Sequence, residues 1–207
     1  MLLEEYKKRA SLEEDWAPGW DAIDEVFQKL YADQEPAHYA TEIHKRSLFG
    51  GEEFLDGFSI YQSSNGYKHL LTYGMTELYT NEESFGGEWS RWGYEMTIKL
   101  KADSIEDCLW AADMLSNLAR YTYTKEKFFE PMQYVAGNGT SLHIGKESAI
   151  TALLIVQDTE AEGTDTVHGR VDFLQLVGIT QRELQVVKDD SRKVNLLIEK
   201  MRKIIRI

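Results

Sequence analysis

A single cysteine, three prolines and no apolar run of bilayer length set the first limits on this 207-residue chain. One thiol, Cys108, permits neither an intramolecular disulfide nor a thiolate metal cluster, so nothing calls for an oxidising compartment. A membrane-spanning helix needs about 20 consecutive apolar residues, and none of the apolar segments reaches that. The N-terminus, MLLEEYKKRASLEED, is acidic where a signal peptide would be basic, which makes the cytoplasm the expected location. Positive charge is also scarce: 23 Lys and Arg stand against 35 Asp and Glu, for a net charge of -12. Nucleic acids and anionic membranes both require a positive surface, so neither is an expected partner, whereas a basic protein is readily accommodated. The five histidines show no HExxH or other paired ligand spacing, and no Gly-x-Ser-x-Gly elbow occurs. No metal, no cofactor and no enzymatic activity are expected.

What is present reads as a folded α+β chain. A hydrophobic fraction of 43% with 28% charged residues is that of an ordinary globule, and one domain of this size buries roughly 70% of its unfolded surface. Residues 1–15 form a polar N-terminal extension of helical character, and residues 16–207 the domain proper. Pro18 starts a helix in which Trp20, Ile23, Val26, Phe27, Leu30 and Tyr31 recur at three- and four-residue steps, ending near Pro36. A strand is expected from His38 to Leu48, then a break at Gly50-Gly51-Glu52-Glu53. Phe58–Gln62 and Lys68–Tyr73 flank Ser63-Ser64-Asn65-Gly66, and Asn-Gly is a strong hairpin signal because both residues accept positive φ. After a glycine-rich aromatic loop from Ser84 to Trp92, Tyr94–Lys101 alternates as a strand with one wet face. Ser104 with Asp107 and Thr180 with Glu183 have capping-box spacing. The first precedes a helix reaching about Tyr123. Ala149–Gln157 and Arg170–Ile179 read as doubly covered strands in an antiparallel pair, and Ser191–Ile205 as a final amphipathic helix with a basic outer face.

Several stretches imitate reactive motifs. Gly137-Asn138-Gly139-Thr140-Ser141-Leu142 lacks the third glycine of a dinucleotide loop, and Gly145-Lys146 is followed by Glu147, which repels phosphate. Asp158-Thr159-Glu160-Ala161-Glu162-Gly163 resembles the start of a calcium loop, but Gly169 stands where the closing carboxylate belongs, so a solvated acidic hairpin tip is expected. Cys108 falls on the apolar face of a helix, as packing. Glu95 and Arg120 are placed to meet where a strand crosses a helix, as a structural ion pair or a ligand contact. Tyr79, Phe85, Trp89, Trp92 and Tyr94 crowd one loop and its flanks, which suits either loop-anchoring core or a partner-binding surface.

The order of blocks resembles the Suppressor of fused family. The matching pieces are Pro18-Gly19-Trp20, Ser59-Ile60-Tyr61, Tyr73-Gly74-Met75-Thr76-Glu77-Leu78-Tyr79, Gly93-Tyr94-Glu95-Met96-Thr97, Leu118-Ala119-Arg120-Tyr121 and Phe173–Thr180 with Glu183-Leu184, in the family's order over roughly residues 16 to 188. The resemblance implies a single domain with a central mixed, largely antiparallel sheet flanked by helices, binding protein without turnover. Animal members of the family sequester Gli transcription factors by adding an extended peptide as a strand between two domains. Tyr79 matches a peptide-contacting tyrosine, and Glu88 falls near a contacting acid. The chain stops soon after the first of those domains, so the expectation is the short stand-alone form found in bacteria. Such forms include immunity proteins that neutralise toxins, and acidity suits a basic toxin domain through steering.

The expected function is therefore partner binding through Tyr79, Glu88, Trp89, Trp92, Glu95 and Arg120. The alternative is a small-ligand or enzymatic pocket using Glu95, Arg120 and Glu77. A third reading is self-association through the aromatic patch.

Overall fold

The computed structural model describes residues 1–40, 55–143, 145–190 and 192–205. Its eight strands are β1 (Ala37–Ala40), β2 (Gly57–Gln62), β3 (Lys68–Tyr73), β4 (Trp89–Leu100), β5 (Tyr134–Ala136), β6 (Ile150–Gln157), β7 (Thr164–Thr166) and β8 (Gly169–Thr180). They form one sheet in the order β1-β2-β3-β4-β8-β6-β5, with β7 also beside β8. Every pairing is antiparallel except β4 with β8, so the sheet is mixed. Five helices flank it: α1 (Leu3–Leu12), α2 (Pro18–Leu30), α3 (Leu109–Lys125), α4 (Gln181–Asp189) and α5 (Lys193–Ile205).

Strand alternation divides the core in two. Side chains two apart share a face, so Ile60, Leu70, Met96, Ile98, Leu174 and Leu176 meet Cys108, just before α3, and Ala111, Leu115 and Ala119 of α3 on one side. Their neighbours Tyr61, Leu71, Tyr73 and Phe173 point the other way and receive Ile23 and Phe27 of α2. Farther along the sheet, Ala152, Leu154, Val156 and Ile179 pack against Leu184 and Val187 of α4 and Val194 and Leu197 of α5. Burial of Ile23 and Phe27 on one stripe is what the three- and four-residue spacing in α2 requires.

Several expectations hold closely. The Asn65-Gly66 turn joins β2 and β3, with Gly66 at φ 83°. Thr180 and Glu183 close a capping box on α4, Thr180 Oγ1 accepting from the Glu183 N–H at 3.2 Å. Ser104 and Asp107 bond reciprocally as well, although the element they open is a short 3-10 turn, Glu106–Cys108, that leads into α3. The strand expected over His38–Leu48 appears as β1, and its remainder, with the break at residues 50–53, lies outside the described residues.

Three expectations are corrected. The face of β4 carrying Glu95, Thr97 and Lys99 is not wet: Glu95 and Thr97 are fully buried, because α2 and the turn after β6 cover it. The segment beginning at Asp158 is not a solvated tip either. The Asp158 carboxylate is wholly buried, bonded to His69 Nε2 at 3.0 Å, Lys99 Nζ at 3.0 Å and Thr97 Oγ1 at 2.6 Å. Polar residues on an alternating strand read as solvent-facing, yet here they bond to one another across three strands. Finally, the aromatic loop is shorter than expected, because β4 already begins at Trp89.

The polar N-terminal segment is docked. Tyr6, fully buried, packs against Trp16, Phe85 and His168, and its hydroxyl meets His168 Nε2 at 3.0 Å while accepting from the Asn81 N–H at 2.6 Å.

Candidate partner-binding site

The Tyr73–Tyr79 block is shaped by Glu95. Gly74 takes φ 121°, and a side chain there would stand 2.8 Å from the Asp56 backbone nitrogen, so the chain turns sharply on leaving β3. Glu95 Oε1 accepts from the N–H groups of Gly74 and Thr76 at 3.0 Å each and from Thr76 Oγ1 at 2.7 Å; Oε2 accepts from Thr72 Oγ1 at 2.7 Å. Burial pushes the Glu95 carboxyl up to about 7, against the lowering effect of these four donors. Glu95 thus holds the turn that delivers Tyr79 to the surface and has no exposed atom of its own to offer a partner.

A local irregularity in β4 builds the surface beside this turn. Trp89 pairs with Arg170 and Tyr94 with Asp172, so five residues of β4 advance against two of β8. The surplus bulges outward, with Arg91 at φ 53° and Gly93 at φ 81°. The bulge is pinned from behind by the Trp92 N–H on the Met75 carbonyl at 3.2 Å, and by Ser90 Oγ, which accepts from the Glu77 N–H at 3.0 Å. The Trp89 ring lies over Gly93, where a Cβ would touch it at 3.0 Å.

The outcome is a groove of about 430 Å³ lined by Trp89, Arg91, Trp92, Phe128, Phe129 and Pro131, among others. Trp89 is 51% exposed and Phe128 55% exposed at its rim. The buried indole N–H of Trp92 makes no hydrogen bond among the described residues. Trp92 packs edge-on against Tyr123 at 5.6 Å, and the Arg91 guanidinium sits 4.8 Å above the same ring. Trp89 and Phe128 therefore present exposed rings rather than buried core.

The expected site residues are only partly gathered. Trp89 and Trp92 share the groove; Tyr79 and Glu88 do not line it. Tyr79 is 49% exposed, with its hydroxyl on Asp56 Oδ1 at 3.3 Å, and Glu88 is exposed immediately before β4. The expected meeting of Glu95 and Arg120 does not occur: Glu95 is enclosed by Thr72, Gly74 and Thr76, whereas Arg120 lies on the exposed face of α3 and donates to Asn117 Oδ1 at 2.9 Å. Glu77, the third member of the alternative pocket, accepts from Asn81 Nδ2 at 2.9 Å, and none of Glu77, Glu95 and Arg120 lines the groove. Sequence reasoning missed Phe128, Phe129 and Pro131. Two adjacent phenylalanines in a polar stretch after a helix, KEKFFEP, were the available signal.

Comparison with known proteins fits this architecture. The family model described as Suppressor of fused protein (SUFU) matches residues 51–206. The human and mouse Suppressor of fused homologs are each 31% identical over 182 residues, covering 80% of this chain and 36% of theirs. The chain therefore spans about a third of the length of these relatives. Among solved structures, a chain of the Sufu-Fu complex superposes with TM-score 0.73 at 25% identity, over 86% of this chain and 82% of that one. Drosophila Suppressor of Fused superposes with TM-score 0.70 at 26% identity, over 83% of this chain and 44% of its own. A SUFU homolog from Neisseria gonorrhoeae shares the fold, with TM-score 0.60 at 16% identity over 89% of each chain. With the matched model covering most of its residues, this chain belongs to the Suppressor of fused family.

Proposed function

We propose that this chain is a non-enzymatic protein-binding domain whose contact surface is the bulged end of β4, with Trp89 and Trp92 in the groove and Tyr79 and Glu88 beside it. The observation that carries this reading is the exposed Trp89 and Phe128 at the rim of an apolar groove, formed where the bulged end of the interior strand β4 meets the segment after α3. The Sufu relative solved in complex with Fu supports a protein as the kind of partner. Glu95 serves indirectly, by holding the turn that carries Tyr79. Arg120, on the exposed face of α3, is not among the residues that line this groove.

The partner we favour is a basic toxin domain that this chain neutralises, since a net charge of -12 accelerates encounter with a positive surface. The test starts from proteins retained on the immobilised domain and identified by mass spectrometry. The retained protein is then titrated calorimetrically against wild type and against Tyr79→Ala, Trp89→Ala and Trp92→Ala variants shown to be folded. Binding of about micromolar Kd or tighter, weakened at least tenfold by the tryptophan changes, is expected. Equal affinity in all variants refutes the surface. If expression of that protein alone does not arrest growth, or arrest is not relieved by coexpressing this chain, the toxin reading fails while the binding surface stands.

A further inference from the structure

A second concavity lies on the opposite face of the sheet from the groove, where α2 crosses β1–β3. It measures about 580 Å³ and is lined by Trp20, Asp24, Gln28, the 32–36 connection, His38, Ser59, Tyr61 and Tyr73. Its floor is a hydrogen-bonded chain: Tyr73 donates to Asp24 Oδ1 at 2.7 Å, Ser59 Oγ stands 3.5 Å from the Tyr73 hydroxyl, and His38 Nδ1 lies 3.0 Å from Ser59 Oγ. Ser59, Tyr61 and Tyr73 are each at most 2% exposed, so this floor is preformed. One wall is aromatic, with Trp20 stacked on Tyr73 at 4.2 Å and His38 edge-on to both rings at 5.3 and 5.7 Å.

The charges are one-sided. Asp24, Asp33 and Glu35 line the cleft, and among the described residues no lysine or arginine does. Asp24 forms no ion pair among the described residues. Burial raises its pKa, against the hydrogen bonds from Tyr73 and Trp20 and the proximity of His38. Burial lowers the pKa of His38 against the raising effect of Asp24, so its ring is neutral at pH 7 and, among the described lining residues, no permanent cation offsets the carboxylates. An anion would meet three carboxylates. A metal ion would need a convergent set of ligands, and no group of three His, Cys, Asp or Glu suited to a metal exists among the described residues.

We propose that this cleft binds an organic cation, a guanidinium or ammonium group, seated between Asp24 and the Trp20–Tyr73 stack. Guanidinium fits best, because a flat ion both stacks on an aromatic wall and donates in its plane to Asp24 Oδ2 and the hydroxyls of the floor. The group comes either from a free amine or from an arginine or lysine side chain of a polypeptide. The site is independent of the groove and of the reading given to it.

The test is fluorescence and calorimetric titration of the full chain with agmatine, putrescine, a blocked Gly-Arg-Gly peptide and neutral N-butylurea. Saturable binding of the cations below about 10 mM is expected, with no response to butylurea. Asp24→Asn keeps an acceptor for Tyr73 and is expected to weaken binding about tenfold or more. The double rim variant Asp33→Asn/Glu35→Gln, which leaves the floor intact, is expected to weaken it severalfold. Agmatine binding much tighter than the peptide identifies a free amine as the source, and equal or tighter peptide binding identifies a side chain. Absence of saturation by every cation, an equal response to butylurea, or unchanged affinity in the folded variants overturns the proposal.

Discussion

Replacing Glu95 isolates the device that shapes the Tyr73–Tyr79 turn. Glu95→Ala removes the acceptor of four donors, and two of them, the N–H groups of Gly74 and Thr76, cannot rotate toward another. At about 1–3 kcal/mol for each orphaned buried donor, these amides alone imply a loss of about 2–6 kcal/mol. That is a large part of the roughly 5–15 kcal/mol available to a folded domain. Glu95→Gln keeps an oxygen for Gly74 and Thr76 but turns an NH₂ toward Thr72, whose Oγ1 already accepts from the Met96 N–H at 2.9 Å, and should cost about 1–2 kcal/mol. The pH dependence has a definite sign. Burial raises the folded-state pKa from 4.5 to about 7, so the folded chain holds this proton more tightly than the unfolded one. The contribution is complete below pH 4.5 and is lost as pH rises through 7. On linkage the loss is on the order of 3 kcal/mol. Urea unfolding followed by tryptophan fluorescence at pH 5 and pH 8 reads both effects. Only the wild type ionises, so its advantage of about 1–2 kcal/mol over Glu95→Gln at pH 5 should vanish and reverse by pH 8. A gap independent of pH, or an Ala variant within about 1 kcal/mol of wild type, would refute this account of the turn.

Other substitutions probe the remaining buried polar groups. Burial alone would raise the Asp158 carboxyl, but His69, Lys99 and Thr97 outweigh it and hold it well below the usual carboxylate range. Asp158→Ala should therefore cost about 3–5 kcal/mol by removing the buried partner of His69 Nε2 and leaving Lys99 with Glu160 and Thr159 alone, and the Asp158 contribution should be complete above pH 4 and vanish on acidification below it, both read by urea titration. Burial lowers the His168 pKa, so the neutral ring is the folded form; its contribution is present above pH 6.5 and lost as pH falls further. Protection of the α1 amides, measured against their intrinsic exchange rates, should accordingly fall between pH 6.5 and 5, and Tyr6→Phe, which leaves the Asn81 N–H without its acceptor, should lower it at every pH. Protection in α1 that is insensitive to both would contradict the docking described for Tyr6.

The parts of the fold that sequence anticipated are those set by neighbours in the chain. Ile23 and Phe27 mark the stripe of α2, Asn65-Gly66 the hairpin, and Thr180 with Glu183 the start of α4, because spacing, turn chemistry and capping act within a few residues. Glu95, Thr97 and Asp158 were misread for a complementary reason. An alternating strand with acids and threonines looks half-solvated until another layer covers it, and α2 and the Asp158 turn come from distant parts of the chain. The groove depends on a register shift between β4 and β8, residues some 80 apart, with the Phe128–Pro131 segment closing it. Gly93 between Trp92 and Tyr94 marked the irregular point, but only pairing with β8 gives it a direction. Tyr79, Trp89 and Trp92 were picked out together by aromatic density, which does not distinguish a rim from a core, and the resemblance added a contact role for Tyr79 only.

The central claim is that the bulged end of β4 contacts another protein, and photo-crosslinking in cells tests it most directly. Benzoylphenylalanine placed at Phe128 or at Tyr79 should form an adduct with one and the same protein. That adduct should be lost on adding Trp89→Ala, and the probe at Leu196, 66% exposed on α5, should give none. Adducts from Leu196 matching those from the groove, or none from Phe128 and Tyr79, would contradict the account.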